Sequence, residues 1–469
     1  MTTSANSAGT AGGPSRRRLL AGAAGAGLAV TAGGRQRARA ADLPPLGTYG
    51  VVVIGSGAAG MTAALTVARQ GLSCVVVEKA PTFGGSAARS GAGIWIPNNE
   101  VILAAGVPDT PAKAAAYLAA VVGPDVPADR QRAFLAHGPA MLSFVMAHSP
   151  LRFRWMEGYS DYYPELPGGL PGGRSVEPDQ LDGTVLGPEL ERLNPPYLDV
   201  PAGMVVFSAD YKWLALATVN ARGAAVAAQC LARGTKAALL GQKPLTMGQA
   251  LAAGLRAGLR SAGVPVWLNT PLTDLHVENG TVTGAVVTRD GAPGLVRARR
   301  AVIVGSGGFE HNAAMREHFQ RQPIGTDWTV GAKENTGDGI RAGQRLGAAL
   351  DLMDDAWWGP AIPLPGQPWF CGLGDRLSVL LVGLPYRPRP YGETGPFQQR
   401  GHALRASAVE AQGHPVAEGL LVAAGLLAAL ETEEQVPARA QDAVEAGEEG
   451  GQVRRGCVDG GVPGHDAVQ

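Results

Sequence analysis

Apolar positions in this chain come as short unbroken runs divided by glycine turns, interleaved with stretches of helical composition. In "YGVVVIGSGAAGMTAALTVARQGLSCVVVEK" the β-branched run Val51–Ile54 has the pattern of a strand buried on both faces. Met61 to Gln70 is helix-forming, Gly71 suits the helix exit, and Cys74–Val77 forms a second apolar run that ends on Glu78. Farther on, "VPVWLN" predicts a strand, and two more flank Asn279–Gly280, a dipeptide suited to a tight hairpin. "VRARRAVIVGSGGFEHN" then returns an apolar strand into Gly305, Gly307 and Gly308. In "KENTGDGIRAGQRLGAAL", Asp338 stands between glycines at a predicted helix start. The pattern there fits an ordinary N-cap as well as a ligand contact. The alternation predicts an α/β fold.

The first strand, turn, helix and second strand carry chemistry. Gly55, Gly57 and Gly60 give GxGxxG: one glycine for the sharp turn, one for backbone approach to a pyrophosphate, one for close helix–strand packing. The helix N-terminus faces the phosphates, and the Glu78 carboxylate suits ribose hydroxyls, hence FAD or NAD rather than NADP. A glycine- and serine-rich excursion, "EKAPTFGGSAARSGAGIWIPNN", follows directly and favours FAD. An isoalloxazine needs exposed backbone N–H groups and hydroxyl donors along its edge, which Gly84, Gly85, Ser86, Ser90, Gly91 and Gly93 supply. Ile94–Trp95–Ile96 argue against a free surface loop. The predicted cofactor set adds Ala58 and Ala59 inside the glycine motif, Lys79 beside the acid, Gly307 on the returning strand, and Asp338. The nucleotide-binding domain is thus discontinuous.

Composition limits the other readings. At 469 residues the chain is long enough for two domains, and 40 basic against 40 acidic residues give no bias toward nucleic acid. The four cysteines are scattered, without CxxC spacing, so neither a structural metal nor a redox dithiol is expected. At the amino terminus Arg16 and Arg17 precede a mild apolar run, with a small-residue cleavage site near Ala40. The run is too short for a membrane span and reads as a twin-arginine export signal over residues 1–41. A basic tail on a cytoplasmic protein is the alternative. Three of the chain's nine tyrosines, Tyr159, Tyr162 and Tyr163, gather in "GYSDYYPE". They are either an aromatic plug or a phenol placed to help move a proton.

Together "GSGAAG", "EKAPTFGGSAARSGAGIWIPNN", "GYSDYYPELPGG", "KPLTMGQAL", "GSGGFEHN", "NTGDG" and "DLMDDAWWGP" resemble the fumarate reductase and 3-ketosteroid Δ1-dehydrogenase flavoproteins, more closely the steroid enzymes. The resemblance spans about residues 47 to 371. It implies a Rossmann-like FAD-binding domain (46–312) with an inserted α+β substrate domain, of which 313–371 would be the start. It implies dehydrogenation of a 3-oxosteroid at C1–C2, with hydride to FAD N5, a proton to a tyrosine base, and an external electron acceptor. A free phenol is a poor base at neutral pH, so a second phenol bonded to the base would spread the charge. The family places that assisting phenol in a "DYY" or "DYF" loop, which selects Tyr162 and leaves Tyr159 and Tyr163 to line an apolar slot. Trp155, Trp357 and Trp358 fit a flat hydrophobic substrate better than the dicarboxylate of a fumarate reductase. A 3-ketosteroid Δ4-(5α)-dehydrogenase or another flavin reductase of the superfamily is the alternative chemistry.

The resemblance stops at about Cys371. From Gly372 to Gln469 there is no Lys, Asn, Ile, Met or Trp. The family's "NESxPY"-like segment with the base tyrosine and its "YPGGG"-like segment are both missing. A shifted reading frame over 372–469 is one explanation, a distinct C-terminal domain another. The first implies a substrate domain cut short and a chain that is inactive or unstable; a non-catalytic remnant that retains nucleotide binding is the reading from a different class.

Overall fold

The computed structural model describes residues 43–356, apart from 125, 198–199, 201–202 and 328. The export-signal segment 1–41, Trp357, Trp358 and the 372–469 tail lie outside the described residues. Those described fall into two compact units, one made of residues 43–161, Leu166–Ala209 and Ala228–Asp355, the other of Tyr162–Glu165, Asp210–Ala227 and residue 356. Residues 313–355 belong to the first unit.

The first unit is built on six strands: β1 (Pro45–Ile54), β2 (Cys74–Val77), β3 (Val266–Trp267), β4 (Leu272–Glu278), β5 (Thr281–Arg289) and β6 (Ala292–Val304). Their order in the sheet is β3-β2-β1-β6-β5-β4. β3, β2, β1 and β6 run parallel, whereas β5 is antiparallel to both β6 and β4. This is the α/β architecture expected, with the return strand β6 seated beside β1 in the register Ile54↔Val304. Asn279 and Gly280 both take positive φ (50° and 77°), as the two-residue hairpin turn requires.

Parallel strands covered on both faces of the sheet have no solvent side, which explains the unbroken apolar runs. Val51, Val53, Cys74 and Val76 pack into one core with Met61, Ala64 and Leu65 of helix α1 (Ala58–Arg69). Val52, Ile54, Val75 and Val77 pack into the opposite one with Val287, Val296 and Ala342. Helix α1 starts at Ala58, earlier than the expected Met61. Gly57, in extended conformation, already serves as its N-cap, and alanines at the next two positions are good helix formers. It ends at Arg69, one residue before the expected Gln70, which is its C-cap, and Gly71 follows at φ 79°. A buried helix rich in small residues, α3 (Met247–Ser261), packs on α1 and on the short helix α2 (Gly85–Arg89). A separate antiparallel sheet pairs Ile94–Trp95 with Ser175–Pro178, and the latter with Phe153–Trp155. The expected excursion therefore ends in ordered structure.

In the second unit, Asn220 caps the start of a helix by accepting from the Gly223 N–H at 2.8 Å, and the Arg222 guanidinium lies 3.8 Å from the centre of the Trp213 ring. Among the described residues, no helix is long and apolar enough to cross a membrane.

Candidate functional site: a glycine cradle and a tyrosine loop

β1 and β6 lie side by side and both end in glycine turns, so the two turns meet at the carboxyl edge of the sheet. Gly305 N–H donates to the Ile54 carbonyl at 2.8 Å. A Cβ on Gly55 (φ 97°) would stand 2.5 Å from the Gly305 oxygen, and one on Gly60 would stand 2.0 Å from the Gly55 oxygen. Both positions therefore exclude side chains because backbone already fills the space. Gly57 differs: a Cβ there would meet nothing within 4 Å. It opens α1 with no side-chain cap, and Ala58 and Ala59 form the helix's first turn. Open space at a helix N-terminus without a side-chain cap is what a pyrophosphate requires.

Glu78 closes this turn from the end of β2. It is buried; one carboxylate oxygen accepts from the Ser56 N–H at 2.8 Å and the Ser56 hydroxyl at 2.6 Å, the other from the Ala80 N–H at 2.9 Å. The acid thus braces the glycine loop itself, and a ribose hydroxyl would add to bonds already made. Ser56, which the sequence reading passed over, also accepts the Gly84 N–H through its hydroxyl at 3.2 Å. That bond draws the excursion back over the first turn. Gly84 caps α2, and a Cβ on Gly85 would stand 3.7 Å from the Gly57 Cα. The two glycine backbones therefore face one another.

The remaining predicted cofactor residues take varied places. Ser86 hydroxyl accepts from the Ala332 N–H at 2.9 Å and the Asn335 amide at 3.0 Å. Ser90 is committed locally, donating to the Ala87 carbonyl and accepting from the Ala92 N–H. Gly91 and Gly93 are exposed, and the Gly91 carbonyl accepts from the Ser208 hydroxyl at 2.9 Å. Gly307 (φ 72°) makes room for Asn335, whose amide oxygen would be 2.6 Å from a Cβ there. Asn335 also donates to Glu310 at 2.7 Å, so "NTGDG" contributes through its first residue as well as its acid. Asp338, at the start of helix α4 (Asp338–Arg345), ion-pairs with Lys79 at 2.8 Å. Lys79 also donates to the Thr336 hydroxyl at 2.6 Å and the Glu334 carbonyl at 3.2 Å. The structure thus brings Lys79 and Asp338 together as a strap between the end of β2 and the start of α4.

Beneath the cradle, burial pushes the Cys74 thiol up to about 11, which keeps it protonated as a packing group of β2. Among the described residues, no cluster of three or more His, Cys, Asp or Glu is placed to hold a metal ion.

The tyrosine loop is anchored by its acid. Asp161 is buried; one carboxylate oxygen accepts the Trp95 indole N–H at 2.9 Å, and the other accepts the Leu170 N–H at 3.0 Å and the Arg174 guanidinium. Arg174 is fully buried and pairs also with Asp109 at 3.0 Å. Nothing in the spacing of Asp109, Asp161 and Arg174 announces this triad. Tyr162 is the next residue and belongs to the second unit; it is half exposed, as is Tyr159.

Similarity to known proteins agrees with this geometry. A family model described as FAD binding domain matches residues 50–372. Over 335 residues the chain is 58% identical to a 3-oxosteroid 1-dehydrogenase of Mycolicibacterium smegmatis and 55% identical to one of Mycobacterium tuberculosis. In both cases 70% of this chain aligns with 59% of the relative, so the chain spans well under two thirds of their length. A crystal structure of 3-ketosteroid Δ1-dehydrogenase from Sterolibacterium denitrificans, in complex with 1,4-androstadiene-3,17-dione, is 37% identical with a TM-score of 0.64, covering 69% of this chain and 59% of that one. The glycine turns, the uncapped helix N-terminus at Gly57 and the acid ending β2 fit the cofactor that this family model describes. The chain belongs to the FAD-binding-domain family, and its cofactor is FAD.

Proposed function

We propose that this chain derives from an enzyme that dehydrogenates 3-oxosteroids at C1–C2 and passes the electrons to an external acceptor. The observation that carries this reading is the 58% identity to a 3-oxosteroid 1-dehydrogenase over 335 residues, laid across an intact glycine cradle. FAD, when bound, supplies a two-electron hydride acceptor. The chain's own part is to hold and orient: Gly57 and α1 take the pyrophosphate, Glu78 the ribose, and the Gly84–Gly85 backbone approaches the ring system. A C2–H is acidic only while the neighbouring C3 carbonyl can become enolate-like, so proton removal needs a positioned base. Tyr162 assists that base, sharing the charge through a phenol–phenol hydrogen bond, while Tyr159 and Tyr163 line the apolar slot.

The base tyrosine and carbonyl-binding segments expected after residue 371 are not in the sequence, and the family match ends at residue 372. We therefore read 372–469 as translated out of frame. The Arg16–Arg17 segment we read as a twin-arginine signal, which suits a protein that folds around a cofactor before export.

Titrating the purified, flavin-loaded chain anaerobically with a 3-oxosteroid tests the substrate and frame readings in one experiment. Bleaching of the flavin absorbance would support the steroid reaction and remove the frame reading. Bound flavin whose spectrum is perturbed by steroid, without bleaching, is the outcome expected for a steroid site that lacks its base. A flavin spectrum indifferent to any 3-oxosteroid would overturn the substrate assignment.

A further inference from the structure

The buried Arg174–Asp161–Asp109 triad has no part in gripping the nucleotide, and it is costly. Removing a guanidinium and two carboxylates from water carries a desolvation penalty that well-packed apolar side chains would avoid. The triad is also imperfectly satisfied, because the buried Arg174 Nε has no hydrogen-bond partner among the described residues. A device of this kind is poorly explained as a source of stability. What it does provide is direction, since a planar fork of donors accepts partners in few arrangements.

Its partners come from three separate stretches. One carboxylate, Asp161, begins "DYY". The second, Asp109, accepts the Asn98 N–H at 2.9 Å, at the end of the glycine- and serine-rich excursion, and the Thr110 N–H at 2.9 Å, at the cap of the helix Pro111–Val122. The guanidinium also donates to the Gly168 carbonyl at 2.6 Å, on the far side of the tyrosines. Two rings of this region flank it: its carbon lies 5.4 Å from the Tyr117 centroid and 6.0 Å from that of Trp95. The chain around the tyrosines is closed at several points. Asp161 N–H donates to the Leu170 carbonyl at 3.1 Å, Gly169 N–H to Leu166 at 2.8 Å, and a Cβ on Gly173 would stand 1.6 Å from the Tyr159 oxygen. Tyr162–Glu165 is thus a four-residue stretch whose two chain ends, Asp161 and Leu166, are fixed.

We infer that Arg174 is a positioning residue: by joining Asp161, Asp109 and the Gly168 carbonyl it fixes both chain ends of the tyrosine stretch and so limits the conformations open to Tyr162. This rests on the role given to Tyr162 above. Arg174 acts through Asp161, its own side chain being fully buried.

The test uses the full flavin-loaded chain with Arg174→Met, Arg174→Lys, Tyr162→Phe and the double variant Arg174→Met/Tyr162→Phe. Chymotrypsin cleaves after tyrosine, and nicking of a transiently open loop follows the population of the open form. Nicking mapped to Tyr159–Tyr163 is expected to rise about tenfold in Arg174→Met, equivalent to ~1.4 kcal/mol of lost closure. Arg174→Lys should fall between that variant and the parent, with flavin content unchanged in both. If Arg174→Met loses its flavin, the Lys variant carries the comparison alone. The second readout is the perturbation of the flavin spectrum by 1,4-androstadiene-3,17-dione. If Arg174 works through Tyr162, the double variant weakens this response no further than Tyr162→Phe alone. Additive losses would overturn the positioning role, and unchanged nicking in both Arg174 variants would overturn the anchor. An unaltered response in Tyr162→Phe would sink the role of Tyr162 instead. A parent chain with no steroid response would sink the substrate reading, and nicking would then decide the anchor alone.

Discussion

Gly57 and Gly60 share one motif yet are glycine for different reasons. A methyl group on Gly60 would collide with the Gly55 carbonyl, whereas one on Gly57 would enter open space. Gly60→Ala is therefore expected to destabilise the fold by ~1–3 kcal/mol, the range typical of overpacking, as read from urea unfolding of the flavin-free chain. Gly57→Ala should unfold at nearly the parental urea concentration but bind FAD at least about tenfold more weakly, as the methyl group occupies the pyrophosphate's side of the turn. Parental flavin affinity in Gly57→Ala would remove Gly57 from the cradle. The sequence reading already gave the two glycines different roles; the neighbouring backbone adds the collision that separates them.

The elements meet through residues far apart in the chain. Lys79 at the end of β2 and Asp338 at the start of α4 are 259 positions apart, and each reads locally as a cofactor contact. Placed together they form a strap, each with about a third of its side chain exposed, at 33% and 29%. Solvent screening limits such a pair, so a double-mutant cycle with Lys79→Met and Asp338→Asn should give a coupling of ~0.2–1 kcal/mol in thermal or urea unfolding. A coupling of zero would mean that the Thr336 and Glu334 contacts of Lys79, not the ion pair, fasten the two elements. The hairpin at Asn279–Gly280 behaves oppositely. Its turn chemistry lies within two residues, and the structure reproduces it where the sequence put it.

At the scale of the whole molecule, the sheet edge where β1 and β6 end concentrates the site, and a ligand bound there stabilises whatever folds around it. Adding FAD at about 100 times its dissociation constant should raise the apparent stability by ~2.7 kcal/mol, visible as a higher midpoint of thermal unfolding. NAD at the same concentration should give a smaller shift, since the Gly84–Asn99 excursion suits a flavin. Equal shifts, or none with FAD, would contradict the assignment of this edge to the flavin.

The chain's own order of residues determined whatever depends on neighbours within one turn or hairpin. The β1–Gly55–α1 crossing, the acid ending β2, the Asn279–Gly280 hairpin and the return of β6 were all legible, because steric limits on φ and apolar run length act locally. Tertiary structure alone decided which polar groups face each other. Glu78 turned out to brace Ser56, Asn335 to fill the room beside Gly307, and Arg174 to join Asp109 and Asp161. Those contacts depend on where distant segments come together in space. A buried carboxylate or guanidinium looks the same in sequence as an exposed one, and only burial and a partner give it a role.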